Sequence, residues 1–120
     1  MNERQGILER TKAFALRIIR LYLSLPKTTE AQVIGKQVLR SGTSVGAHVR
    51  EGKRSRSDVE MISKTEGALQ ELEEAMYWLE LLAASGIIKA ELLVDLMKKA
   101  DELTEILVTS AKAIKTRKWK

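Results

Sequence analysis

Apolar residues recur at three- and four-residue steps along nearly the whole chain and nowhere alternate as a strand would, and a single proline interrupts them. That spacing gathers side chains on one face of a helix, so the chain is confined to an all-α fold. The first segment, from about residue 3 to 23, puts Ile7, Phe14, Ile18, Leu21 and Leu25 on one stripe. It ends before Pro26, because proline disfavours helical geometry in the residue ahead of it. Thr29 with Gln32 reads as a capping box for a second helix, over about 30–53. Glycines 35, 42, 46 and 52 would each cost on the order of 1 kcal/mol inside that helix. Ile34, Val38, Val45 and Val49 nevertheless keep one stripe through them, which favours a continuous helix with close backbone approach over an interruption near Ser41–Ser44.

Ser57 and Glu60 form a second capping box, with Asp58 adding favourable charge at a helix N-terminus. The third helix then runs over about 58–84 to Gly86, the expected left-handed cap. Its apolar rows are Ile62, Leu69, Met76 and Ala83, and Thr65, Leu72 and Leu79. A fourth helix over about 89–115 carries Leu93, Leu96, Ala100, Leu103, Leu107, Ser110 and Ile114. Four helices joined by short connections predict one up-down-up-down antiparallel bundle spanning residues 1–120.

Two helices are apolar over more than the roughly three-sevenths of their surface that a small bundle buries. On the third, Tyr77, Trp78, Leu81 and Leu82 widen the arc; on the first, Leu8, Ala15, Leu16, Ile19, Tyr22 and Leu23 do so. The excess points to burial against another subunit, with Tyr77, Trp78, Leu81 and Leu82 as the expected contact. A larger intrachain core would use the same residues.

Charge is segregated along the chain. Residues 1–56 hold 12 Lys/Arg against 4 Asp/Glu, residues 57–105 hold 4 against 12, and the last fifteen hold 5 basic and no acidic side chains, for a net charge of +5. Either two oppositely charged halves pack together, or a basic face is offered to an anionic partner. Two clusters stand out: Arg50, Lys53, Arg54 and Arg56 between the second and third helices, and Lys112, Lys115, Arg117, Lys118 and Lys120, with Trp119, in a basic tail over 112–120. Cationic groups pair with phosphates by counterion release, and an aromatic can stack on a base, so RNA or DNA is the expected ligand. The clusters are expected at opposite ends of the bundle, as two separate patches. Equally, lysines at a helix C-terminus simply complement its dipole.

Catalytic patterns are lacking. The sole histidine, His48, has only Glu51 within a helical turn and reads as a surface or interface residue. Glu60, Glu66, Glu71, Glu73, Glu74 and Glu80 lack the Glu-x-x-His pairs of di-iron bundles. Gly42-Thr43-Ser44-Val45-Gly46 lacks the lysine spacing of a phosphate loop. No cysteine is present to hold zinc or act as nucleophile, which suits a reducing cytosol. No apolar run approaches the ~20 residues needed to cross a bilayer. The expectation is a soluble cytoplasmic protein that is not an enzyme and uses no metal or cofactor.

The stretch from Leu39 to Leu82 resembles the bacterial four-helix-bundle family whose founding members are encoded in intervening sequences of the 23S rRNA gene. The residues that carry the resemblance are Arg40-Ser41-Gly42-Thr43-Ser44-Val45-Gly46-Ala47, Glu51-Gly52, Ser57-x-x-Glu60-Met61-Ile62, Ala68-Leu69, the glutamates of 71–74 and Tyr77-Trp78-Leu79-Glu80-Leu81-Leu82. Many members read Ser-Ile-Pro-x-Asn-Ile-Ala-Glu-Gly where this chain has Ser44-Val45-Gly46-Ala47-His48-Val49-Arg50-Glu51-Gly52, so Gly46 and His48 depart from the pattern. The resemblance implies a ring-shaped homo-oligomer, typically a pentamer with a central opening, and no established enzymatic activity. It marks Arg40, Glu51, Glu60 and Glu74 as polar positions that pair within or between subunits. Together with the basic surface, it implies a homo-oligomeric nucleic-acid binder; the alternative is a protein-interaction scaffold or accessory subunit.

Overall fold

The computed structural model describes residues 6–118, and of Lys118 the backbone alone. Four helices follow one another: α1 (Ile7–Ser24), α2 (Thr29–Lys53), α3 (Asp58–Ala84) and α4 (Val94–Lys118). Each packs on its neighbours in sequence, α1 closes against α4, and the bundle measures 52 × 29 × 20 Å. The expected start of the first helix at Glu3 lies outside the described residues.

The buried residues trace one heptad seam per helix. On α2 the seam is Ala31, Gly35, Val38, Gly42, Val45, Val49 and Gly52, alternating steps of four and three without a break, with Ser41 buried beside it. The helix is therefore continuous through its glycines. Gly42 shows why: an added Cβ there would stand 2.8 Å from Ile18 Cγ1, so the missing side chain is the space that α1 occupies. On α3 the seam is Thr65, Ala68, Leu72, Ala75, Leu79 and Leu82. The row expected from Ile62, Leu69, Met76 and Ala83 is only half-buried and flanks it. Alanines 68 and 75 contribute little hydropathy, yet their small size lets α3 lie closely on α2. Steps of three and four on every helix give the ridge-into-groove packing of left-handed bundles.

The ends are set locally. Leu25 is extended, as required before Pro26, and its side chain is buried beside Gly35. Thr28, not Thr29, caps α2, its hydroxyl accepting from Ala31 N–H at 3.4 Å. Gln32 cannot complete a box because its amide is engaged elsewhere: Nε2 donates to Pro26 O at 2.8 Å and Oε1 accepts from the Tyr22 hydroxyl at 3.1 Å. Ser57 caps α3 as expected, accepting from Glu60 N–H at 3.1 Å, while Glu60 reaches back to the Arg56 N–H. Gly86, at φ +79°, closes α3. Its N–H bonds Ala83 O and the N–H of Ile87 bonds Leu82 O, the paired pattern of a Schellman cap. The chain then makes a 3₁₀ turn, Ala90–Leu92, so α4 begins at Val94 rather than near Lys89.

Candidate nucleic-acid interface at one end of the bundle

Because α4 runs antiparallel to α3, it ends where α3 begins, and α3 begins where α2 ends. The two basic clusters therefore share one end of the molecule, and the expectation of opposite ends is corrected. Arg117 on α4 clasps Asp58 in the first turn of α3, with its Nη2 2.9 Å from Oδ1 and its Nε 3.3 Å from Oδ2. This bond holds the Arg117 guanidinium more firmly protonated than usual. Lys115 Nζ lies 2.7 Å from Glu66 Oε2. Beneath them, Val49, Gly52, Lys53, Met61 and Ile114 line one small cleft of about 70 Å³, which places all three helices in contact there.

Arg50, Lys53, Arg54, Arg56 and Lys112 are exposed at this end, and none forms an ion pair among the described residues. The connector that carries two of them is tied down. Arg54 N–H bonds Glu51 O, Ser55 N–H bonds Gly52 O, and Arg56 N–H is held by Glu60. Such ordering lowers the entropy cost of engaging an anion. Lys12 joins them from α1, lining with Arg50 a shallow groove floored by Gly46 and Ala47. Nothing in the sequence linked Lys12 to this cluster, because the connection runs across the α1–α2 contact. Lys120, Trp119 and the Lys118 side chain lie outside the described residues.

The polar family positions all find partners within the chain. Arg40 binds Glu71 at 3.2 Å and also Glu74. Glu74 accepts in turn from the Trp78 indole at 3.1 Å, and that bond, followed by Arg40, holds the Glu74 carboxyl below the usual range. Glu51 pairs with Lys64 at 3.0 Å, which lowers its carboxyl likewise. Glu71, weighed in the sequence only as one of a run of carboxylates, stands one turn before Glu74 and so shares its Arg40-facing side. His48 wedges between α2 and α3 against Gly67, where an added Cβ would meet the imidazole at 3.2 Å. Its Nδ1 is buried without a hydrogen-bond partner, 3.9 Å from Glu51, and its Nε2 is 3.9 Å from Glu71. Among the described residues no three His, Cys, Asp or Glu side chains converge on a metal-sized site, and no helix is long and apolar enough to cross a membrane.

Of the four expected contact residues, Leu82 is fully buried in the chain's own core and is withdrawn from any subunit interface. Its place on the α3 seam, three residues beyond Leu79, accounts for that. Trp78 and Leu81 are half-buried, and Tyr77, 53% exposed, meets Trp78 edge-on at 5.2 Å. Of the residues expected to widen the apolar arc of α1, Leu16, Ile19 and Leu23 do lie outside the chain's own core, 45%, 37% and 71% exposed.

A model of the 23S rRNA-intervening sequence protein family matches residues 3–109. A crystal structure of a protein of unknown function from the S23 ribosomal protein family of Bacteroides thetaiotaomicron VPI-5482 superposes with a TM-score of 0.84 at 36% identity, covering 89% of this chain and 99% of that one. No curated protein matches.

Proposed function

The chain belongs to the 23S rRNA-intervening sequence protein family, and on that premise we propose that it is a non-enzymatic, homo-oligomeric nucleic-acid-binding bundle acting in the cytoplasm without cofactors. One observation carries the reading: among the described residues, two clusters distant in sequence supply five cations without an ion pair to the same end of the bundle. Phosphate contacts by such groups give binding that is tight at low salt and falls steeply with ionic strength. A ring that presents several of these ends together would add avidity to each weak patch; a pentamer is what the family resemblance implies.

The scaffold reading draws on a different observation. Part of the charge segregation is consumed internally, since Arg17 pairs with Asp95 at 2.5 Å and Arg40 with Glu71 and Glu74. The test is fluorescence anisotropy on a labelled structured RNA and a duplex DNA across a salt series. Replacing Arg50, Lys53, Arg54 and Arg56 by Ala should flatten the slope of log affinity against log salt by about one for each phosphate that is no longer neutralised. Unchanged affinity and slope would remove this end as the binding surface and leave the scaffold.

A further inference from the structure

The apolar residues that α1 leaves uncovered are not scattered. Lys12, Leu16, Ile19, Arg20 and Leu23 follow helical spacing along its outer side, and all are exposed. Two bases and three aliphatics thus make one stripe. On the outer side of α3, Glu66, Glu73, Tyr77 and Glu80 form a second exposed stripe, acidic with one aromatic. Packing of α2 on both α1 and α3 puts these two helices at opposite corners of the bundle, so the stripes face away from each other.

We propose that the outer stripe of α1 is the docking surface for the outer stripe of α3 on a second copy of this chain. This rests on the homo-oligomer reading above and specifies its interface. Opposite corners make the contact head-to-tail, the type that closes into rings. In a ring whose axis parallels the bundle, neighbouring copies sit at the same height, so the stripes must match level by level. They do. Ile18 packs on Gly42, and six residues later on α2 His48 packs on Gly67, which sets Ile18 level with about residue 73 of α3. At 1.5 Å per residue along parallel helices, the copy's Tyr77 then falls between Ile19 and Leu23, and Arg20 falls between Glu73 and Glu80. An aromatic enters an aliphatic gap while unlike charges meet on either side. Among the described residues Lys12, Arg20, Glu73 and Glu80 have no ion pair within the chain, and only Glu66, bound to Lys115, is already engaged. The α1 stripe supplies the width of apolar surface that Leu82, being core, does not.

The decisive experiment uses two full-length variants, R20E/L23E on the α1 stripe and E73K/Y77K on the α3 stripe, with circular dichroism to check that both remain helical. Each variant keeps one stripe intact. Light scattering should show wild type as a multiple of the 13.5 kDa chain, each variant alone as a monomer, and an equimolar mixture as a one-to-one dimer that grows no further. Helical variants that still assemble like wild type would overturn this interface while leaving the oligomer standing. Dimers formed by either variant alone would overturn the head-to-tail geometry. A monomeric wild type would overturn the oligomer and the interface together.

Discussion

At Gly42 an added methyl group would approach Ile18 Cγ1 to 2.8 Å and Cγ2 to 3.0 Å, and Ile18 is wholly buried with no room to retreat. Gly52 lies on the same seam of the same helix, yet its nearest neighbour would be Lys64 Cβ at 3.4 Å, an ordinary contact. One substitution should therefore act with opposite sign at the two positions. Gly42→Ala is expected to destabilise by about 1–3 kcal/mol through overpacking, partly offset by about 1 kcal/mol of helix propensity. Gly52→Ala should keep that propensity gain of up to about 1 kcal/mol and stabilise. Urea unfolding of the two variants measures both, and equal shifts would refute the packing account. From sequence alone these glycines were indistinguishable: periodicity places both on the seam, but only the distance to α1 or α3 separates them.

At the level of helices, ion pairs bridge the packed neighbours: Arg17–Asp95 joins α1 to α4, while Arg40–Glu74 and Lys64–Glu51 join α2 to α3. The carboxyls of Asp95, Glu51 and Glu74 titrate below their ordinary values, chiefly because of Arg17, Lys64 and the Trp78 indole respectively. As pH falls, the unfolded chain takes up protons at these groups before the folded one does. Their contribution is thus fully present above the unfolded carboxylate range, about pH 4–4.5, and drains as pH drops through it toward the folded values. Melting temperature in low-salt buffer should hold level from pH 7 to about 5 and decline below. Glu74→Gln should reduce that decline, and added salt should weaken it for these exposed pairs. A decline equally steep in the variant would mean that other carboxylates dominate. Helix number, order and most boundaries were legible in the sequence, because Pro26, Ser57 and Gly86 act through local chemistry. Thr28 against Thr29 was not, since Gln32 is diverted by Tyr22 and Pro26, partners that only the folded turn supplies. On α3 the row Thr65, Leu72 and Leu79 is buried as its spacing predicts. The second row is Ala68, Ala75 and Leu82 rather than Ile62, Leu69, Met76 and Ala83, because alanine faces a core through smallness, which a hydropathy pattern undercounts.

For the molecule as a whole, the misjudged relation was topological. Both basic clusters were visible as residues, but their shared end follows from the antiparallel sense of α4 relative to α3. Once one end is basic, a ring about an axis parallel to the helices would turn every such end to the same side. Binding would then depend on assembly even though the two surfaces have only Lys12 in common. R20E/L23E leaves Arg50, Lys53, Arg54, Arg56 and Lys112 untouched, so a monomer of this variant should keep the intrinsic affinity of one basic end. On a nucleic acid long enough to span several ends, loss of multivalency should weaken binding by on the order of 10²–10⁴-fold. On an oligonucleotide that reaches only one end, variant and wild type should differ far less, apart from the added negative charge on α1. Comparing anisotropy titrations on short and long RNAs of the same sequence separates the cases. A length-independent loss would point to Arg20 as a direct phosphate contact, whereas a loss confined to the long RNA would tie binding to the ring.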